Sequence, residues 1–136
     1  MKTVLMAVAV ITRPGQVLIR KFDPAHNPYT EPWGLFGGRL EGDDDIPTAL
    51  NRELQERWNM TVTIVEDIGW AEEVKADHDG ERKRFAYLNA LCELAEGTPH
   101  SKNSDEELKW VDIDQLSEYT FNPLSAKLLK KIGYLL

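Results

Sequence analysis

Clustered acids behind a pair of glycines are the feature of this chain that points most directly to chemistry. The stretch FGGRLEGDDDIPTALNRELQERWNM covers residues 36–60. Glu53 and Glu56 lie three positions apart in a segment with helical patterning, so their side chains share one helix face. Mg²⁺ is typically held by one or two carboxylates, with waters and substrate phosphates as its other ligands. The pattern therefore indicates a Mg²⁺-dependent site for a phosphate ester or a pyrophosphate.

The turn before this segment supports the same interpretation. Gly37 and Gly38 allow the backbone to turn tightly and to approach a ligand with no β-carbon in the way. Four more acids crowd the turn, namely Glu41, Asp43, Asp44 and Asp45, and such a cluster is repulsive unless a cation or a basic side chain neutralises it. An ordinary solvated helix face is the alternative, because runs of charge usually lie on the surface.

The order of the residues favours the functional interpretation. The stretch resembles the Nudix box of the Nudix hydrolases, G-x5-E-x7-R-E-U-x-E-E-x-G-U, where U is a bulky aliphatic residue. Six positions agree with it, namely Gly38, Arg52, Glu53, Leu54, Glu56 and Met60. Asp44 replaces a glutamate conservatively. Asn59 replaces a glycine, a mild change because asparagine also tolerates the left-handed conformation at a helix end.

The resemblance covers essentially the whole chain and implies a function. It implies a hydrolase that cleaves a nucleoside triphosphate or another nucleoside diphosphate derivative at the pyrophosphate, with Mg²⁺ or Mn²⁺ as cofactor. By position, Glu53 and Glu56 are metal ligands, and Arg52 orients Glu53 through a charge-assisted hydrogen bond. These three residues are the implied catalytic residues. Gly37, Gly38 and Arg39 are the implied substrate-binding residues.

Arg57 departs from the pattern at a position where the family carries a metal-binding glutamate. The exchange changes the local charge by two units, and arginine does not lose its proton in proteins. Three outcomes stay open: a carboxylate from another loop completes the metal site, the guanidinium contacts phosphate directly, or hydrolysis is lost. The last outcome would leave a catalytically silent Nudix-fold protein that binds a nucleotide or a partner.

Several residues outside the box are further candidates. Five acids could supply the missing carboxylate, namely Glu72, Glu73, Glu93, Glu106 and Glu107. Five aromatic residues could stack on a base, although each is more often a core residue: Phe22, Trp33, Phe85, Tyr87 and Phe121. Asn122 precedes a proline at a predicted helix start, where capping is the expected role and a contact to a base edge is the alternative.

Composition excludes some classes of partner. The chain has 16 Lys and Arg against 23 Asp and Glu, a net charge of −7, which argues against binding a nucleic acid polymer through its phosphates. The resemblance implies a small nucleotide as partner; no membrane partner is expected, and a homodimer stays open. The single cysteine, Cys92, excludes an intrachain disulfide and fits a reducing cytoplasm. The apolar run at residues 3–12 predicts a buried strand rather than a signal peptide.

The elements around the box predict a mixed sheet packed between helices. We expect a hairpin of strands 3–12 and 16–21, a proline-rich loop at 22–32 and a short strand through the glycines. Ile46, Ala49, Leu50 and Leu54 recur at helical spacing and predict the core face of the box helix. Strands at 61–65, 68–75 and 84–94 follow, then a late strand, a short helix and a terminal helix at 123–135. The predicted fold class is α+β, and the resemblance implies a Nudix-type α/β/α sandwich in a single domain of residues 1–136.

Overall fold

The computed structural model describes all residues from 1 to 136. It contains seven β-strands and two α-helices. They are β1 (Thr3–Arg13), β2 (Gln16–Lys21), β3 (Trp33–Gly34), β4 (Phe36–Arg39), α1 (Ile46–Trp58), β5 (Met60–Ala76), β6 (Arg82–Gly97), β7 (Glu107–Asp112) and α2 (Pro123–Lys131). Two short 3₁₀ segments, Pro24–His26 and Ile113–Glu118, connect them.

The seven strands form one mixed sheet. Its main path runs β3-β2-β1-β6-β5, with β4 also paired to β1 and β7 also paired to β2. The pairing of β1 with β6 is parallel, and the other named strand pairs are antiparallel. The strand β1 lies at the centre of this arrangement, since it contacts β2, β4 and β6.

The two faces of the sheet carry separate apolar cores, because successive side chains of a strand point to opposite sides. On one face, Ala9 and Ile11 of β1 pack with Leu50, Leu54 and other residues of α1. On the other face, Val10 packs in a cluster that includes residues of α2. The predicted α+β sandwich is therefore confirmed. Neither helix has the length and apolarity that crossing a membrane requires.

Some predicted elements differ from the structure. The predicted strands at 61–65 and 68–75 are one continuous strand, β5, which bends at register shifts near Ile64 and Asp67 instead of turning. Ile46 was expected in the core but is 37% exposed, because it is the first residue of α1 and lies beyond the sheet contact. The helix α2 ends at Lys131, four residues earlier than predicted, where Gly133 adopts a φ of +81°.

Local sequence explains both ends of α1. The side chain of Asp45 accepts a hydrogen bond from the Thr48 amide at 2.9 Å, and Pro47 lies in the first turn, where no amide donor is needed. Asn59 ends the helix with a φ of 55° and is the only residue other than glycine with a positive φ. Asparagine at this box position therefore supplies the left-handed turn that glycine usually supplies.

Asn51 fixes α1 to the sheet. Its side-chain oxygen accepts a hydrogen bond from the Val62 amide at 2.8 Å, and its side-chain nitrogen donates to the Val62 carbonyl at 3.1 Å. Val62 is buried and lies at one of the register shifts of β5. The asparagine thus satisfies backbone groups that the irregular ladder leaves without a strand partner.

Asp77 anchors the turn between β5 and β6. It accepts two hydrogen bonds from Arg39, at 2.8 and 3.2 Å, and one from Lys83 at 2.9 Å. These bonds hold the pKa of the Asp77 carboxyl far below its ordinary value, and those from Arg39 have the largest effect. The turn is therefore tied to the end of β4, the strand that leads into α1.

We expect Asn51→Ala to lower the free energy of unfolding by about 1–3 kcal/mol, because it leaves a buried amide and carbonyl unpaired. Urea denaturation measures the difference. Gln55→Ala is the matched control, since Gln55 is exposed on the same helix and its loss should change stability by less than about 0.5 kcal/mol. Equal effects of the two substitutions would contradict the role of Asn51.

We expect the stability difference between the wild type and Asp77→Asn to be largest at neutral pH and to shrink in acid. Because the native pKa is depressed, the unfolded state binds more protons, and the stabilisation is lost as pH falls below the ordinary value of 3.8. Thermal melts at about pH 7 and about pH 3 test this. Asp79→Asn, at a more exposed partner of Lys83, should show a smaller change, and a difference independent of pH would contradict the prediction.

Candidate active site

The helix α1 lies against the sheet at Gly38. A β-carbon added to Gly38 would lie 2.8 Å from Cβ and 2.9 Å from Cγ of Glu53, closer than packed atoms come. The absence of a side chain at Gly38 therefore makes room for Cβ and Cγ of Glu53. This close packing fixes the position from which the Glu53 carboxylate extends. Gly38 was expected to admit a ligand; in the structure it admits the helix.

Two arginines each pair with one acid of the box region. Arg57 donates to Glu53 at 3.3 Å, one helical turn away. Arg52 pairs with Asp44 in the turn before the helix, and this bond is the main reason that the pKa of Arg52 is raised. The predicted bond from Arg52 to Glu53 is wrong, because Asp44 takes the Arg52 guanidinium and Arg57 takes the Glu53 carboxylate.

The carboxylates of α1 are the side chains that could serve as donors to a divalent ion. Glu53 is partly exposed and Glu56 is exposed, three positions apart on the helix. Nowhere in the chain do three His, Cys, Asp or Glu side chains group so that they could hold a metal ion together. Two carboxylates fit the way proteins hold Mg²⁺, where waters and substrate phosphates complete the shell. Here Glu53 would first have to release Arg57.

A cavity of about 850 Å³ opens beside this helix. Its wall includes Gly37 from β4, Arg57 from α1, Trp70 from β5 and Asn122 at the start of α2. The loop between β2 and β3 contributes Tyr29, whose hydroxyl donates to Glu73 at 2.6 Å. The cavity has the size of a small-molecule site.

A buried ion pair forms part of the cavity wall. Arg20 donates to Glu106 at 2.6 Å, and both side chains are largely buried. Trp58 and Ser101 also donate to Glu106, at 3.1 and 2.7 Å. Burial lowers the pKa of Arg20 to about 10, and the nearby positive charge of Arg57 adds to this effect, while Glu106 opposes it. Arg20 therefore stays charged at neutral pH.

The predicted site residues are not all at the cavity. Gly37 and the divergent Arg57 line it, whereas Gly38, Glu53 and Glu56 lie outside the set of residues on its wall. Arg39 also lies outside that set, and its guanidinium is engaged with Asp77. The structure thus brings Arg57, and not the two glutamates, to the cavity wall. Glu53 reaches that wall only through its contact with Arg57.

The further candidates divide in the same way. Of the five aromatic residues, Phe22, Phe85 and Tyr87 line the cavity, and of the five acids, Glu72 and Glu106 do so. Asn122 caps α2, since its side chain accepts a hydrogen bond from the Ser125 amide at 2.9 Å. It also lines the cavity, where contact to a base edge was the alternative role.

Arg20 was missed in the sequence, although a signal was present. It lies two positions after Leu18 on β2, so both side chains point to the face of the sheet that packs on α1. A charged residue on the core side of a strand needs a buried partner. That partner, Glu106, lies 86 positions later in the chain.

Comparison with known proteins supports one family. The model of the NUDIX domain matches residues 2–132. An oxidized purine nucleoside triphosphate hydrolase of Danio rerio is 27% identical, over 96% of this chain and 84% of its own length. The nucleoside triphosphatase NudI of Escherichia coli (strain UMN026) is 25% identical, over 93% of this chain and 94% of its own.

Solved structures show the same fold. A MutT NUDIX hydrolase from Burkholderia pseudomallei superposes with a TM-score of 0.72 at 21% identity, covering 98% of this chain and 100% of that one. A NUDIX hydrolase from Nitrosomonas europaea also gives 0.72, at 18% identity, covering 96% and 88%. With the matched domain spanning nearly all of its length and the box on α1, the chain belongs to the Nudix family, as a MutT-like member.

Proposed function

We propose that this protein hydrolyses a nucleoside triphosphate or a related nucleoside diphosphate derivative at the pyrophosphate, at a rate limited by Arg57. The observation that carries the proposal is the contact between Glu53 of the box and Arg57, which lines the cavity. The relatives named as nucleoside triphosphate hydrolases support the substrate class. We place this activity in the cytoplasm, where reducing conditions suit the unpaired Cys92; a homodimer is an assembly to test.

Glu53 and Glu56 are the residues that would hold a divalent ion, Mg²⁺ or Mn²⁺. When bound, such an ion supplies charge to polarise phosphoryl oxygens and lowers the pKa of a water. Arg52 keeps Asp44 occupied and so holds the turn before the helix in place. Gly37 presents backbone to the cavity, whereas Gly38 supports Glu53. Arg39 would reach a phosphate only after leaving Asp77.

The cavity suits a flat heterocycle next to a charged group. Phe22, Phe85 and Tyr87 present aromatic surface, and such faces stack on bases with little regard to sequence. The side-chain oxygen of Asn122 is used by the cap of α2, which leaves its amide nitrogen to donate to a base edge. We therefore propose that the base lies in the cavity and the phosphates lie toward Arg57.

A catalytically silent nucleotide-binding protein is the second candidate, and the same ion pair favours it. While Arg57 holds Glu53, one of the two carboxylates is neutralised. Release of phosphate or pyrophosphate from a panel of nucleoside triphosphates and diphosphate derivatives, with Mg²⁺ and with Mn²⁺, decides between the two. Binding without release under either metal would establish the silent protein.

We expect Glu53→Gln and Glu56→Gln each to lower the metal-dependent rate by roughly tenfold to a hundredfold or more, as losses at metal sites do. The substitutions remove a charge and keep the shape, so melting temperatures should change little. Gln55→Ala on the same helix is the control. Undiminished turnover in both glutamine variants would place the hydrolysis elsewhere in the chain or in a contaminant.

We expect Arg57→Glu to increase the affinity for Mg²⁺ and the rate of hydrolysis, by at least about tenfold. The change releases Glu53 and adds a carboxylate next to Glu56. Mg²⁺ should therefore raise the melting temperature of the variant more than that of the wild type, because a ligand that binds only the folded state stabilises it.

Gln55→Glu is the matched control for this prediction, since it adds an acid to the same helix two positions away, on a different face. Arg57→Gln removes the guanidinium without adding a ligand and should give an intermediate rate. If Mg²⁺ stabilises the wild type and Arg57→Glu equally and their rates agree, Arg57 does not limit the site.

A further inference from the structure

We propose that Arg57 is an anion-binding residue in its own right, with Arg20 behind it, and that the cavity holds a diphosphate group with no divalent ion present. The inference rests on the proposed function, because it concerns the phosphate end of the same ligand. It assigns to Arg57 a positive role in binding, separate from its restraint of Glu53.

The Arg57 guanidinium is placed to accept an anion. Its one protein hydrogen bond is the 3.3 Å contact to Glu53, at the long end of the range, so most of its donors are free. The guanidinium lies over the ring of Trp58, 4.2 Å from the centroid, and the ring itself is fully buried. A rigid aromatic surface thus supports the group. The Arg57 side chain is 46% exposed, and the residue is part of the cavity wall.

Arg20 lies on the same wall, where its charge is paired with Glu106. Its guanidinium lies 4.9 Å from the centroid of the Trp58 ring and 3.9 Å from that of Phe22. Arg20 and Arg57 are close enough for the charge of one to disfavour that of the other. Glu106 offsets part of this repulsion, and an anion bound at the cavity wall that both arginines line would offset more of it.

The whole cavity has a charge balance opposite to that of the chain. The chain carries a net charge of −7, yet basic residues outnumber acidic ones on the wall. The basic residues are Arg20, Arg57, Lys75, Lys127 and Lys131, and the acidic residues are Asp23, Glu72 and Glu106. Such a concentration of positive charge in a cleft attracts anions.

Arginine in place of glutamate at position 57 changes how the site can bind a phosphate. A carboxylate repels a phosphate unless a cation bridges the two groups, whereas a guanidinium donates to phosphate oxygens directly. With arginine in this position, phosphate binding and metal binding become separate. The wild type should therefore bind a diphosphate in a chelator and should not require the ion for affinity.

Calorimetric titration with inorganic pyrophosphate in excess EDTA tests the inference. We expect the wild type to bind, and Arg57→Ala to bind at least about tenfold more weakly, the loss typical of a hydrogen bond to a charged group. Arg82→Ala is the matched control, because Arg82 is exposed and lies outside the cavity wall. It should bind as the wild type does. Thermal melts of each variant confirm that it is folded.

A second arm uses Arg57→Glu. In EDTA this variant should bind pyrophosphate at least about tenfold more weakly than the wild type, and Mg²⁺ should restore its affinity. No binding by the wild type in EDTA, or equal binding by wild type and Arg57→Ala, would overturn the inference. Binding in EDTA without hydrolysis under any metal would contradict only the proposed hydrolysis. Hydrolysis with Mg²⁺ but no binding in EDTA would contradict only the present inference.

Discussion

The close packing of α1 on the sheet at Gly38 is the constraint on which the rest of the site depends. Because no β-carbon separates β4 from Glu53, the helix lies low on the sheet, and Trp58 at its end is fully buried. The Trp58 ring then meets Phe36 edge to face, with centroids 4.9 Å apart. It also donates to Glu106. The position of this helix thus places Trp58, the residue that Arg57, Arg20 and Glu106 all contact.

The acids of the box show how a protein can keep a charged motif and change its use. Repulsion among the carboxylates before and along α1 is relieved by Arg52 and Arg57. The pair of Arg52 and Asp44 joins the helix to the turn before it, and the pair of Arg57 and Glu53 connects the helix to the cavity. Exposed ion pairs contribute little to stability. Their value here lies in deciding which carboxylate is free to bind a ligand.

Local physics made much of the fold predictable. The cap at Asp45, the proline at 47 and the left-handed Asn59 follow from neighbouring residues, so α1 was predicted with its box in place. The apolar run at residues 3–12 predicted a buried strand, and β1 contributes residues to the cores on both faces of the sheet. Gly133 could have indicated the end of α2, since glycine commonly ends helices.

Contacts between distant residues account for what the sequence did not predict. The pairs Arg39–Asp77 and Arg20–Glu106 join residues 38 and 86 positions apart, and no local pattern specifies them. The predicted partner of Arg52 was wrong because several acids lie within its reach, and the sequence does not show which of them it pairs with. The register shifts of β5 depend on its pairing with β6. They let the strand bend and continue at the point where the sequence predicted a break between two strands.

The burial of Cys92 also bears on how the molecule opens. Its side chain is fully buried on β6, between β1 and β5, and burial raises the pKa of the thiol to about 12. Since the thiolate is the reactive form, an alkylating reagent in neutral solution would find almost none of it in the closed molecule. The rate at which the chain takes up such a reagent therefore reports how often the centre of the sheet is exposed to solvent.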